Sequence, residues 1–345
     1  MPGQKEVTIY DLAKELNLSA ATISRGLKDS PSISKATCKR IQALAAKRGF
    51  QINSFARNLR QNKTHIIGVM MHELNTSFMV SVLSGIEKVL GKTEYDILIA
   101  HSAEQGETEI TNARNLFQKR VDGVIASLAL DTPNLDHFNC FTEKNIPVVY
   151  FDRVEEQGGG AKIVVDNYNS GYQVTEHLIK QGCKSIVHLT SNLARNVYKR
   201  RYDGYRAALS DYNIPFRPEQ LIVCHLDEAN SRAATTAMLK MNPKPDGLFA
   251  AGDFAASICI LALKEKGIKV PEDIAVAGFN NDAVSTIIEP HLTTVNYSGF
   301  TMGEIAARLI LDHLNGKQDI SITNTIIMNA ELIVRPSSQR IKSAK

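Results

Sequence analysis

Apolar positions along the chain follow two periods. Over residues 9–45 they recur every three or four residues: Ile9, Leu12, Ala13 and Leu16 fall at i, i+3, i+4 and i+7, one face of a helix spanning 9–16. Ile23 and Leu27 mark a second short helix, and Cys38, Ile41, Leu44 and Ala45 line a third. Polar residues punctuate them. Thr8 and Asp11 have the spacing of a capping box, Ser19 follows the break at 17–18 as an N-cap, and Ser34 caps the third helix, which stops at Gly49. Ile33, just before that cap, is placed to staple against Cys38.

From residue 66 the period changes. Short apolar runs at 66–71, 97–100, 123–126, 147–151, 163–165, 185–189, 221–224, 247–250 and 274–278 alternate with amphipathic stretches such as 78–90 and 107–120. That alternation predicts a parallel, doubly wound α/β sheet with helices on its faces. Nine runs exceed one compact lobe, and 345 residues at about 150 per domain agree with several units. A last strand is expected near 331–334.

Charge separates the same two regions. Residues 1–65 hold 12 Lys+Arg against 4 Asp+Glu, net +8, whereas the other 280 hold 28 against 32, net −4. Clustered cations are rewarded on a polyanion by counterion release, although a merely solvated basic face has the same composition. Two short helices joined by a three-residue turn and closed by a third match a helix-turn-helix, with a generic three-helix bundle as the plainer reading. The outward residues of the second helix, Ala20, Ala21, Ser24, Arg25 and Lys28, are small, polar or cationic. In a major groove Arg25 can read guanine, the alanines can meet a thymine methyl, and Ser24 can reach a phosphate. Residues 50–64 form a linker in which Asn53 can cap two helical turns over 54–60, too few to hold alone in water. Phe55, Ala56 and Leu59 put apolar side chains on that cationic segment, the makings of a minor-groove wedge or of an ordinary linker.

Other function classes drop out. With 43% hydrophobic residues, mean hydropathy −0.15 and no apolar run longer than 254–263, no membrane span is expected. The first ten residues lack a secretory pattern, and the five scattered cysteines lack a C-x-x-C pair, so a cytoplasmic chain without disulfides is expected. No phosphate-loop, nucleophile-elbow or H-E-x-x-H motif occurs, and His137 with Cys140 is a single H-x-x-C pair. No enzyme chemistry, metal or cofactor is expected. What remains is polar residues just past strand ends: Asp152 and Arg153, Arg195 and Arg201, Asp253, and Asn280. Together they can hold sugar hydroxyls, with Phe78 and Tyr297 stacking on a ring, while each alone also reads as a cap or ion pair, Asp253 above all.

The run from Val7 to Arg25, VTIYDLAKELNLSAATISR, followed by Ala56-Arg57-Asn58-Leu59, resembles the headpiece and hinge of the lactose/galactose repressor family of bacterial transcription regulators. The resemblance implies a base-reading pair at Ala20 and Ala21, an arginine contact at Arg25 and an intercalating leucine at Leu59. Thr8, Thr22, Ser24, Lys28, Asn53, Ala56 and Arg57 complete the expected DNA contacts. It also implies a headpiece over 1–49, a hinge over 50–64, and an effector and dimerisation domain over 65–345 similar to periplasmic sugar-binding proteins. The first lobe is then about 65–165 with 297–328, and the second about 166–296 with 329–340. Asp152 and Arg201 resemble the effector-gripping pair of sugar-responsive relatives, and Arg195 an arginine of the purine-responsive branch. Asn280 stands where those relatives carry Asp. With Arg153, Arg195 and Arg201 nearby, that exchange suits a more acidic ligand such as a sugar acid or sugar phosphate, and the expected effector is a sugar, sugar acid or sugar phosphate. The expectation is a homodimeric, ligand-responsive repressor of carbohydrate-utilisation genes, bound to double-stranded operator DNA. A solute-binding protein without DNA function is the alternative.

Overall fold

The computed structural model describes residues 7–50, 63–320 and 325–340. The chain divides into two compact units, 1–64 and 65–345.

The first unit is three helices, α1 (Ile9–Leu16), α2 (Ala20–Leu27) and α3 (Lys35–Lys47). Each begins on a hydroxyl cap, because the first backbone N–H groups of a helix lack partners within it. Thr8 accepts from the Asp11 N–H while the Asp11 carboxylate accepts the Thr8 N–H at 2.8 Å, a closed capping box. Ser19 accepts from Thr22 N–H and Ser34 from Thr37 N–H. Leu12, Ile23 and Ile41 are fully buried at the centre. Gly26 lets α2 close on α3: a Cβ there would lie 2.4 Å from Ile41 Cδ1. The short helix expected over 54–60, with Asn53, Ala56, Arg57 and Leu59, lies outside the described residues.

The second unit holds two parallel sheets. β1 (Ile66–Met71), α4 (Ser77–Leu90), β2 (Asp96–His101), α5 (Gly106–Gln118), β3 (Gly123–Ala126), α6 (Asn139–Thr142), β4 (Val148–Phe151) and β5 (Ala161–Val165) build most of the first lobe. The chain crosses and winds α7 (Asn167–Lys180), β6 (Ile186–Thr190), α8 (Asn196–Asp211), β7 (Leu221–Val223), α9 (Glu228–Met238), β8 (Gly247–Ala250), α10 (Asp253–Glu265), β9 (Ala275–Ala277) and α11 (Val284–Ile287) into the second. It returns through β10 (Thr294–Asn296) to α12 (Gly299–Leu314) and β11 (Thr325–Met328), then crosses again at β12 (Glu331–Ile333). Strand order is β11-β5-β4-β3-β1-β2 in one sheet and β7-β6-β8-β9 in the other, while β10 and β12 pair antiparallel between the lobes.

Both faces of the first sheet are covered, so its strands read as continuous apolar runs. Ile67, Val69 and Met71 pack with Val82 and Ile86 of α4 and Met302 of α12, whereas Met70, Val124 and Tyr150 pack on the opposite face with Leu116 and Phe138. β10 and β11 escape the apolar-run reading. The first is three residues with polar ends, and the second is an edge strand whose Ile327 is 62% exposed. In the second lobe α7 and α8 approach at backbone distance, and a Cβ on Gly171 would lie 2.3 Å from the Arg201 carbonyl. That contact fixes where Arg201 sits. The carboxyl ends of both sheets face a common cleft, where α/β folds hold their ligands.

Candidate functional site

The headpiece presents α2. Its inward side is Ile23 and Gly26, both buried, which leaves Ala21, Arg25 and Lys28 exposed and Ala20, Thr22 and Ser24 half-buried around them. Among the described residues no side-chain hydrogen bond or ion pair holds the Arg25 guanidinium. Thr8 is exposed, but its hydroxyl is engaged with the Asp11 carboxylate at 2.7 Å, so it serves α1 as a cap. Ser19 and Thr22 share a 2.8 Å hydroxyl contact at the start of α2.

Between the lobes lies a cleft of about 630 Å³. Asp152, Arg153, Arg201, Asp253, Asn280, Phe78 and Tyr297 all reach its wall. Asp152 follows β4 with a left-handed φ of 56° and is 7% exposed. Burial raises its carboxyl pKa, against the opposing pull of Arg153 and Arg201. Across from it Arg201 donates through Nε to Asn167 Oδ1 and through Nη1 to the Ala251 carbonyl, both at 2.8 Å, with its Cζ 3.5 Å from the centre of the Phe279 ring. Two of its donors are therefore committed before any ligand arrives. Phe78 and Tyr297 rings meet at 5.1 Å, and the Tyr297 hydroxyl donates to Asn280 Oδ1 at 3.0 Å. Burial keeps that phenol protonated by raising its pKa.

Two expected contacts take a different role. Asp253 is fully buried and both carboxylate oxygens are occupied, Oδ1 by the Thr294 hydroxyl at 2.7 Å and Oδ2 by the Asp282 N–H at 2.8 Å. It ties the loop after β9 to β10. Burial nonetheless lifts its pKa to about 7. Arg195 is the other departure: it is absent from the cleft wall. As the N-cap residue of α8 it is 6% exposed and donates from Nη2 to the Thr132 carbonyl of the first lobe at 2.9 Å. Asn192 donates to the Leu130 carbonyl, and Asn196 both accepts from Val154 N–H and donates to the Asp152 carbonyl. These contacts are a latch between lobes. Arg195 is drawn into it because α8 begins at the rim, one turn before the cleft.

The cleft also contains residues that the reading of strand ends passed over. His72 stands directly after β1, is 4% exposed and shares a 2.9 Å contact between Nδ1 and Ser127 Oγ. Its burial lowers the imidazole pKa well below the usual value. Glu104, three residues past β2, accepts from Arg153 Nη1 at 2.6 Å. Tyr198, in the first turn of α8, accepts from Arg153 Nη2 at 3.1 Å. The rule used for β4 and β9, a polar residue just beyond a strand's carboxyl end, finds His72 and Glu104 once applied to β1 and β2. Tyr198 carries no such mark.

Comparison with known proteins agrees with both units. Residues 8–53 match the model of bacterial regulatory proteins of the lacI family, and residues 175–338 the model of a periplasmic binding protein-like domain. Over 333 residues the chain is 30% identical to the HTH-type transcriptional regulator RegA of Clostridium saccharobutylicum, covering 96% of this chain and 99% of that protein. The chain belongs to the lacI family of bacterial regulatory proteins. This lacI-family regulator is also 27% identical over 310 residues to catabolite control protein A of Priestia megaterium, covering 90% and 93% of the two chains. A structure of the lac repressor dimer bound to operator and the anti-inducer ONPF shares its fold, with a TM-score of 0.85 at 22% identity over 97% of this chain and all of that one. It is a DNA-binding transcriptional regulator, and the family it belongs to consists of regulators, not enzymes. Among the described residues no helix is long and apolar enough to cross a membrane.

Proposed function

We propose that this regulator is a homodimeric repressor whose grip on operator DNA is changed by a neutral, hydroxyl-rich ligand, a sugar, held in the cleft. The headpiece over 1–49 reads the operator through Ala20, Ala21 and Arg25, and the hinge over 50–64 wedges Leu59 into the minor groove of operator sites in a bacterial cytoplasm. The dimer brings two headpieces to two half-sites. Support for a self-complementary surface comes from exposed apolar side chains on both lobes, Val80 and Ile99 on one, Leu261 and Ile287 on the other.

The neutral ligand rests on the charge balance of the cleft. Besides the engaged Asp253, five carboxyl groups line it, from Glu73, Glu104, Asp152, Asp227 and Asp282, against the guanidinium groups of Arg153 and Arg201. Arg195 is spent on the latch and Arg153 is paired, so the three-arginine case for a sugar acid or phosphate loses two of its supports. Arg201 and Asp152, both at the cleft wall, suit adjacent hydroxyls, which offer both a donor and an acceptor. Such a ligand acts on DNA only if its affinity differs between two arrangements of the lobes.

The test is operator binding, followed by fluorescence anisotropy on a fragment selected from genomic DNA, across matched panels of neutral sugars, sugar acids and sugar phosphates. A neutral sugar is expected to shift operator affinity by about tenfold or more. A response confined to acids or phosphates would overturn the neutral-ligand reading, and a cleft ligand bound without any specific DNA binding would favour a solute-binding role instead.

A further inference from the structure

The two guanidinium groups in the cleft are held in chemically different ways. Arg201 gives its donors to neutral acceptors, the Asn167 amide oxygen and the Ala251 carbonyl. Arg153 gives Nη1 to a carboxylate, Glu104 Oε2, at 2.6 Å, with side-chain exposures of 8% and 24% for the pair. An arginine at a cleft wall is otherwise a ready receptor for a carboxylate or phosphate, because its planar fork matches their oxygens. Here the acceptor is built in.

The backbone around Glu104 is arranged to deliver it. Ala103 and Glu104 both have left-handed φ, 50° and 62°, in consecutive non-glycine residues. Strain of this kind persists only where surrounding contacts over-determine it, and it collects at functional sites. The Glu104 N–H donates to the His72 carbonyl at 3.0 Å, and its Oε2 also accepts from Leu130 N–H at 3.2 Å. Backbone and side chain are thus pinned on both sides, with the carboxylate against Arg153.

We infer that Glu104 is a specificity-determining residue that occupies the anion position beside Arg153 and so excludes anionic ligands from the cleft. An anionic ligand would have to displace Glu104 and leave its charge beside a second negative charge in a poorly solvated space, whereas a neutral ligand leaves the pair intact. Discrimination by a built-in repulsive element is the general route to specificity when attraction alone cannot separate similar ligands. The inference rests on the cleft being the effector site, but its test needs no effector.

Glu104→Gln keeps the shape and the oxygen that accepts from Leu130 and removes the charge. In the full chain, at constant ionic strength, melting temperature and calorimetry are followed as chloride is exchanged for inorganic phosphate. The variant is expected to bind phosphate at least about tenfold more tightly than the parent, and the gain is expected to vanish in Glu104→Gln/Arg153→Gln. An equal phosphate response in parent and variant overturns the inference, as does a gain that survives in the double variant. If Glu104→Gln is unfolded in chloride, refolding by phosphate supports the inference and its absence overturns it. A parent that answers to sugar acids in the operator assay would overturn both the neutral-ligand reading and this inference, whereas an equal phosphate response in parent and variant would overturn this inference alone.

Discussion

The headpiece and the cleft use arginine in opposite ways. Arg25 is exposed on α2 with no partner among the described residues, while Arg153, Arg195 and Arg201 are 7%, 6% and 4% exposed and each is bonded in place. A free cation on a small scaffold is suited to a polyanion that any approach will find, with an affinity that falls as salt rises. A buried guanidinium held by one or two fixed hydrogen bonds has already lost much of its conformational freedom, so the donors it keeps can discriminate. On the proposed function, the first unit supplies affinity for DNA and the second its regulation.

The strongest way to break it is to remove residues 1–64. Specific operator affinity should disappear while the remaining unit keeps its melting temperature, because its sheets and cleft are all encoded from His65 on. Operator binding retained by that fragment in gel shift would mean that the cleft unit itself touches DNA.

A second test probes burial in the cleft unit. The folded-state pKa of Asp253, about 7, lies above its ordinary 3.8. The native state then holds a proton that the unfolded chain has released, so this group's contribution is full below 3.8 and is lost as pH rises to about 7. Asp253→Asn, which stays neutral, should gain stability relative to the parent across that window, up to roughly 4 kcal/mol as an upper bound. Urea unfolding of both proteins at pH 4.5 and 7.5 measures it, and a difference that does not change with pH would show that the native carboxyl ionises normally.

Arg25 tests the exposed side. Arg25→Ala should weaken operator binding by about 1–3 kcal/mol and random DNA much less. Equal losses on both, by anisotropy at one salt concentration, would reduce Arg25 to a phosphate contact.

In the cleft the clean substitution is at Asp152. Arg201→Ala would strip the donors from Asn167 Oδ1 and the Ala251 carbonyl in a buried place, and so would mix lost binding with lost stability. Asp152→Asn removes a buried charge near Arg201 and should weaken neutral-sugar binding by about tenfold, or 1.4 kcal/mol, without lowering the melting temperature. A variant that melts earlier and still responds to sugar would make Asp152 a structural residue.

The smallest effect is expected where charges are paired but wet. Glu15 and Arg48 lie 2.7 Å apart with side chains 41% and 54% exposed, and Glu15→Gln should change headpiece stability by less than about 1 kcal/mol. A larger loss by thermal melting would mean that exposed pairs in this head matter as buried ones do.

Legibility followed the same division. In the headpiece the hydroxyl caps at Thr8, Ser19 and Ser34 and the spacing of Leu12, Ile23 and Ile41 were enough to locate α1, α2 and α3, since the face a helix buries is decided by neighbours three or four residues away. The outward face of α2 followed from that period. In the second unit the apolar runs marked the buried strands and missed β10 and β11, whose pairing with distant segments, and not their own composition, makes them strands.

By itself the sequence determined the two periods, the capped helices, the alternating α/β chain and the basic head, because each depends on side chains close along the backbone. It also placed Asp152 and Asn280 just past strand ends, where a parallel fold gathers ligand contacts, whereas Arg201, expected there too, sits within α8. Only the tertiary structure decided that Arg195 binds Thr132 across the latch, that Asp253 is consumed by Thr294 and Asp282, and that Glu104 neutralises Arg153 from 49 residues away. Those partners are joined by the packing of different strands and helices, and the burial that fixes their charge does not exist until the lobes have folded together.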